Sequence, residues 1–421
     1  MAEQDEAITS ASARRDLERL MLDHAQLQNP YALLAWLREH DPVANANPLR
    51  FVTRYEDVLS CYRDERLSRN RAAVAESAAH SAEGHPDEVL QRARLAAISM
   101  LINQDEPNHR RIRKILESTF TPRQLLLWKG RIESITADLI ARVAGKTHFD
   151  FLRELAYPLP ERVICELMGV PYEDHALWGA WTEAIVSAAR THEPSPEKKA
   201  AVDAAQRNFY LYFKELVGAR RQHLGDDLVS IMIRAESEGD RLNETELLGS
   251  LQMLISAGHE TTANLMGNGM YTLLRFPEQY ELLRADSGLV PAAVEEMLRY
   301  ESPAHWSLPR EATVDVQVGA AVIPRGCPVL MALNAANRDP TVFEDPERFD
   351  IRRKTNRHIA FAAGPHFCLG NLLARHEAQA MFRAVVTRLP RLELVQPPRF
   401  KSTFVRALDC LPVRVLSGSI P

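Results

Sequence analysis

The sequence has 421 residues, 46% of them hydrophobic and 25% charged, the balance of a globular chain able to bury a large core. Lys plus Arg number 51 against 56 Asp plus Glu, a net of −5, so no basic surplus points to nucleic acid or anionic lipid as a partner. Five cysteines, at 61, 165, 327, 368 and 410, form no CxxC pair, and the chain shows neither a signal-peptide core nor an apolar run of ~18 residues; this argues against a disulfide scaffold, a zinc knuckle and a membrane span, and a soluble cytoplasmic protein is expected.

Residues 1–25 read as a flexible N-terminal segment and 26–421 as one domain, because no low-complexity linker, repeat or shift of composition divides them. A first strand is predicted at LRFVTRY (49–55). The Ala- and Ser-rich stretch 72–104, and 191–198 with Pro194 and Pro196, read as mobile flaps over a site. In NHRRIR, His109 and Arg113 share one face of a predicted helix. From about 129 to 300 helical periodicity dominates, as in Ile132, Ile135, Leu139 and Ile140, then Phe209, Tyr212, Phe213 and Leu216. The longest helix is capped by Asn243, with Glu246 completing a capping box, and runs to Pro277; Gly258, Gly267 and Gly269 let something approach its backbone. Strand character returns at 314–333, with Pro324-Arg325-Gly326 as a turn, and a strong helix follows residue 370. The expected fold is mainly α with a small β portion.

Two stretches carry chemistry. Residues 361–370 read FAAGPHFCLG, and Cys368 stands at the start of a helix introduced by Gly370 or Asn371, where unpaired N–H groups and the helix dipole stabilise a thiolate. A lone cysteine is more often a buried, inert thiol. Its neighbours reverse that weighing, since F-x-x-G-x-H-x-C-x-G, carried by Phe361, Gly364, His366, Cys368 and Gly370, is rare by chance. On the long helix, AGHETT (257–262) sets Ala257 and Thr261 on one face beside Gly258, a small-residue window on the helix backbone. The Thr261 hydroxyl can bond back to an upstream carbonyl and Glu260 supplies a carboxylate, although an ordinary helix with a solvated Glu and a packed Thr has the same pattern. His259 receives no role.

The decamer resembles the haem-binding loop of the cytochrome P450 family, and AGHETT resembles that family's oxygen-activation signature. The resemblance covers roughly residue 30 to the end, with five motifs in the family's order. It implies haem b (heme, iron protoporphyrin IX) held between the long central helix and the cysteine-loop helix. Cys368 is then the axial ligand to iron, whose thiolate pushes electron density towards O–O cleavage. Glu260 is implied to relay protons and Thr261 to bond the reduced oxygen. Glu296 and Arg299 match the family's ExxR pair, with Arg348 of PERF (346–349) as third member of a charged triad behind the haem. His109, Arg113, Arg310 and His366 resemble contacts to the haem propionates. The implied reaction inserts one oxygen atom from O₂ into a C–H or C=C bond of a mid-sized hydrophobic natural-product intermediate, with oxidative coupling or dehydrogenation, or a haem sensor, as the alternatives. Electrons are implied to come from NAD(P)H through a separate ferredoxin and ferredoxin reductase, docking on a patch of Arg110, Arg111, Lys114 and Arg123 of a monomer. Segments 76–100, 180–195, 252–261, 303–309 and 402–407 are implied to line the substrate pocket. Ala362 departs from the family in replacing a usual glycine, and the stretch from Pro303 to Arg310 reads as one residue long, unsettling the roles of His305 and Trp306.

Overall fold

The computed structural model describes residues 28–70, 87–117, 120–189, 194–237, 242–401 and 405–416, with 13, 16 and 17 ahead of them. Residues 72–86 of one expected flap, 191–193 of the other, 402–404 of a pocket segment and most of 1–25 lie outside these residues. In chain order the helices are α1 (Tyr31–His40), α2 (Tyr55–Arg63), α3 (Glu88–Ile98), α4 (Asn108–Glu117), α5 (Pro122–Val143), α6 (Pro158–Met168), α7 (His175–Ala189), α8 (Pro196–Gln222), α9 (Leu228–Ser237), α10 (Glu244–Arg275), α11 (Pro277–Ala285), α12 (Val290–Tyr300), α13 (Leu333–Ala336) and α14 (Asn371–Arg388). The strands are β1 (Val43–Ala46), β2 (Leu49–Val52), β3 (Leu67–Ser68), β4 (His148–Asp150), β5 (Arg310–Ala312), β6 (Val316–Val318), β7 (Ala321–Ile323), β8 (Pro328–Met331), β9 (Leu392–Leu394) and β10 (Pro412–Val415). The fold is mainly α with a small β portion, as the periodicity predicts.

These elements form two compact units. The first gathers the described parts of Met1–Ser68, Asn264–Cys368 and Pro390–Pro421. It contains a five-stranded sheet in the order β1-β2-β8-β5-β3, in which β2 and β8 run parallel and the other neighbours antiparallel. Val52, Val58, Leu67, Val329, Met331 and Phe343 form a buried apolar cluster there. The expected turn at Pro324–Gly326 is present, closed by the Cys327 N–H donating to the Pro324 carbonyl at 3.1 Å, and it joins β7 to β8.

The second unit gathers the described parts of Arg69–Ala263 with Leu369–Leu389 and is almost wholly helical. Thr121 caps α5 by accepting from the Gln124 N–H at 3.3 Å, Pro122 opens it, and Ile132, Ile135, Leu139 and Ile140 are buried along one face. That helix packs on α14, and α8, with Phe209 and Phe213 buried, packs on α7 and α3. The three-residue strand β4 inside this helical stretch was not foreseen; so short a run carries no readable alternation.

The capping box of α10 is formed as expected. Asn243 Oδ1 accepts from the Glu246 N–H and Glu246 Oε2 from the Asn243 N–H, both at 2.9 Å. The helix ends at Arg275, two residues before Pro277 opens α11.

Candidate active site

The loop bearing Cys368 is wound tightly on itself. A short 3₁₀ turn spans Gly364–His366, the Phe367 N–H donates to the Gly364 carbonyl and the Cys368 N–H to the Phe361 carbonyl, both at 3.0 Å. Gly364 has a φ of +68°, and a Cβ there would stand 2.6 Å from the Tyr62 carbonyl of α2, so no side chain fits. The chain then passes through Leu369 and Gly370 into α14, whose first carbonyl-to-amide bond runs from the Ala374 N–H to the Gly370 carbonyl at 3.0 Å. Gly370 occupies the cap position without a side-chain cap, and Asn371 Oδ1 accepts from Arg375 at 2.8 Å. Phe361, His366 and Cys368 are all partly exposed.

Ala362, the departure from the family's glycine, has a φ of +62°. A β-carbon in the left-handed region costs about 1 kcal/mol. Ala362→Gly is therefore expected to raise the stability of the haem-loaded protein by about 0.5–1 kcal/mol in urea titration, with its spectrum unchanged.

Three of the other cysteines are held as thiols by their surroundings. Burial, reinforced by neighbouring carboxylates, pushes the thiols of Cys61 and Cys165 up to about 12, and burial raises that of Cys327.

Behind the loop, still within the first unit, Glu296 and Arg299 on α12 are 0% exposed and paired through two hydrogen bonds of 2.8 Å. Arg299 also donates to the carbonyls of Asn337, Pro346 and Arg348 at 3.1, 2.8 and 3.0 Å. The expected third member, Arg348, has to be corrected to Arg353. Arg353 Nε lies 3.1 and 3.2 Å from the two Glu296 oxygens with its side chain 11% exposed, whereas the Arg348 side chain is 64% exposed and 3.7 Å from Asp350. The turn closed by the Arg348 N–H on the Asp345 carbonyl at 3.0 Å aims the carbonyls of Pro346 and Arg348 inwards and the Arg348 side chain outwards. Asn356 and the Asp350 N–H complete the Glu296 carboxylate at 3.1 and 3.0 Å.

Sequence reasoning also missed Glu295 and His358. The Glu295 carboxylate lies 3.0 Å from His358 Nε2, while the Ala360 N–H donates to His358 Nδ1 at 3.2 Å. Neither residue stands in a motif, and 63 positions separate them.

Of the cationic residues, Arg310 is buried in the first unit, donates to the Leu67 carbonyl at 3.1 Å and lies over the Tyr62 ring at 5.5 Å. In the second unit His109 and Arg113 occupy successive turns of α4. His109 is buried, with Nδ1 3.4 Å from Glu106, and burial lowers its pKa so that the neutral ring is favoured. Arg113 Nε donates to Glu117 at 2.6 Å. Arg110 is 81% exposed and lies 3.3 Å from Glu106, Lys114 is exposed, and Arg111 is paired with Glu246 of the capping box; the Arg123 side chain lies outside the described residues.

On α10, Ala257 and Thr261 are exposed while Leu254, Ile255, His259, Thr262 and Ala263 are buried, so an open face one residue wide interrupts a buried helix. The Thr261 hydroxyl donates back to the Ala257 carbonyl at 3.0 Å, as the sequence predicts. Gly258 does not belong to this face. A Cβ at Gly258 would stand 3.1 Å from Ile164 Cδ1, so its smallness serves packing against α6, one-third of a turn away from the window. His259 is a packed residue, its Nδ1 2.8 Å from the Ile255 carbonyl and its ring edge-on to Trp178 at 5.5 Å. Glu260 is half-buried, and its charge joins burial in pushing the Tyr157 hydroxyl up to about 12.

The segment 303–309 turns only Ala304, Leu308 and Pro309 partly outwards. His305 and Trp306 are buried, the first 2.7 Å from Asn334 and the second edge-on to Phe51 at 5.5 Å. Both belong to packing.

Comparison with known proteins decides the family. The family description "Cytochrome P450" matches residues 197–407. Cytochrome P450 107B1 of Saccharopolyspora erythraea is 38% identical over 408 residues, covering 94% of this chain and 97% of that protein. The chain is a cytochrome P450. Among its other relatives, the polyketide biosynthesis cytochrome P450 PksS of Bacillus subtilis is 35% identical and covers 91% of this chain and 95% of its own. The crystal structure of P450BioI in complex with an acyl carrier protein bearing hexadec-9Z-enoic acid superposes with a TM-score of 0.83 at 32% identity, covering 93% of this chain and all of that one.

As a P450 this protein is a monooxygenase with a haem-thiolate cofactor. Its own residues fit that group. A single thiol ends a loop whose glycine is closed by a backbone carbonyl, and among the described residues no cluster of three or more His, Cys, Asp or Glu offers the thiol a competing ligand set. No helix of the described residues is long and apolar enough to cross a membrane.

Proposed function

We propose that this P450 hydroxylates a hydrophobic intermediate of natural-product biosynthesis, with Cys368 as the axial thiolate. The loop at 361–368 carries the reading: its glycine admits no side chain and its two internal hydrogen bonds deliver the Cys368 backbone to the start of α14. When bound, the haem supplies O₂ activation at iron, assisted by electron donation from the thiolate.

The chain's own residues then do three things. Cys368 and the tight loop hold the ligand in place. Arg310, His109 and Arg113 offer cationic or donor groups to the propionates; because Nδ1 of His109 faces Glu106, its Nε2 donates when the ring is protonated. Thr261 keeps its proton on Oγ1, resting on the Ala257 carbonyl, and Glu260 beside it replaces that proton from solvent, so the pair delivers protons into the open face of α10.

The relative named for polyketide biosynthesis and the carrier-protein complex support a substrate of that chemical kind, free or carrier-bound. Two electrons per turnover come from NAD(P)H through a ferredoxin and its reductase, for which the exposed Arg110 and Lys114 supply positive charge. The test is turnover of a macrolactone and of an acyl carrier protein bearing hexadecenoic acid, with ferredoxin, reductase, NADPH and ¹⁸O₂. A product heavier by one labelled oxygen supports the reading; an unlabelled dehydrogenated or coupled product overturns it.

Thr261→Val is expected to leave the CO-bound spectrum intact and NADPH consumption running, while product per NADPH falls roughly 10- to 100-fold and hydrogen peroxide accumulates. Matched product and peroxide assays check this.

A further inference from the structure

Two successive carboxylates of α12 grip two successive parts of the segment that leads into the cysteine loop. Glu296 holds Arg353 and Asn356, and Glu295 holds His358. The second grip fixes the state of the imidazole. A backbone N–H can only donate, so the bond from the Ala360 N–H makes Nδ1 of His358 an acceptor. The ring proton then lies on Nε2 and points at Glu295, 3.0 Å away, in a ring whose side chain is 3% exposed. The adjacent Ile359 N–H donates to Asn337 Oδ1 at 2.8 Å and its carbonyl accepts from the Ala362 N–H at 2.9 Å. Phe361, next along, gives its carbonyl to the Cys368 N–H at 3.0 Å.

We propose that His358, oriented by Glu295, is a positioning residue for the thiolate loop: it fixes the Ala360 peptide and through it the Phe361 carbonyl that receives the Cys368 amide. This rests on Cys368 being the axial ligand. The three bonds act in series, so loss of the imidazole frees the loop's first residue without touching the buried Glu296–Arg299 pair. The consequence is a looser grip on the sulfur, which shows in the form of the haem that keeps thiolate ligation rather than in whether the protein folds.

The experiment uses haem-loaded full-length protein, reduced and CO-bound, in urea low enough to leave the far-ultraviolet circular dichroism unchanged. Conversion of the red-shifted Soret band to the blue-shifted one is timed. His358→Leu is expected to convert about fivefold faster than wild type, the loss of roughly one buried hydrogen bond. His358→Asn, whose side-chain oxygen can accept the Ala360 N–H as an Asx turn, is expected to recover most of the wild-type rate. Glu295→Gln keeps an acceptor for the ring and is expected to fall between them, and it decides the matter if His358→Leu does not yield loaded protein. Wild-type rates in both His358→Leu and Glu295→Gln, or equal acceleration in His358→Asn and His358→Leu, overturn the proposal. A wild-type protein lacking the red-shifted band overturns the axial assignment and this proposal with it.

Discussion

Cys368→His protein is expected to remain coloured and folded but to lose the red-shifted Soret band of the reduced CO complex, with oxygenation down by at least about a thousandfold, roughly 4 kcal/mol of transition-state stabilisation. The loss is electronic. An imidazole can hold the iron, but it is neutral where the thiolate is an anion, so the electron donation that favours O–O cleavage is lost. Position matters as much as element, because the anion needs donors around it. Cys368 stands in the chain just ahead of α14, and the start of a helix favours an anion, while burial and nearby carboxylates keep Cys61 and Cys165 protonated. Cys61→Ala and Cys165→Ala should therefore keep the red-shifted band even where they lower stability. A red-shifted band in Cys368→His, or its loss in either control, would contradict the assignment.

The second large effect is on stability. Glu296→Ala leaves Arg299 and Arg353 facing each other without their shared carboxylate, one of them fully buried, and should cost about 3–5 kcal/mol, read as the urea midpoint of the loaded protein. Arg353→Met removes one buried partner and should cost a large part of that. Arg348→Ala should cost within about 1 kcal/mol, because only a solvent-facing side chain is deleted and the carbonyl that Arg299 uses remains. Equal losses in Arg348→Ala and Arg353→Met would restore the assignment that the PERF motif suggests.

That pair of substitutions also marks the limit of reading a sequence. The cysteine loop, the Asn243–Glu246 capping box and the Thr261 back-bond were legible because each depends on residues within a few positions of one another, where chemistry and spacing fix the outcome. Arg353 and His358 were not, because what selects them is a turn at Asp345 that redirects one arginine outwards and a helix more than fifty positions away that supplies the carboxylates. Gly258 was misread for a related reason: its spacing fits a window beside Thr261, and only the arrival of Ile164 from α6 shows which side of the helix needs the space. The buried state of His305 and Trp306 likewise follows from β2 and α13, which local pattern does not report.

The interleaving of the two units has a consequence for biogenesis. During synthesis on the ribosome, α5 emerges early but its packing partner α14 comes only after Cys368, and the first unit still awaits β9 and β10 beyond that. Neither unit can close before these late elements have emerged, so capture of the pigment is expected to follow synthesis of α14 and β10. Cells making this enzyme faster than they make porphyrin will accumulate an open apoprotein exposed to chaperones and proteases.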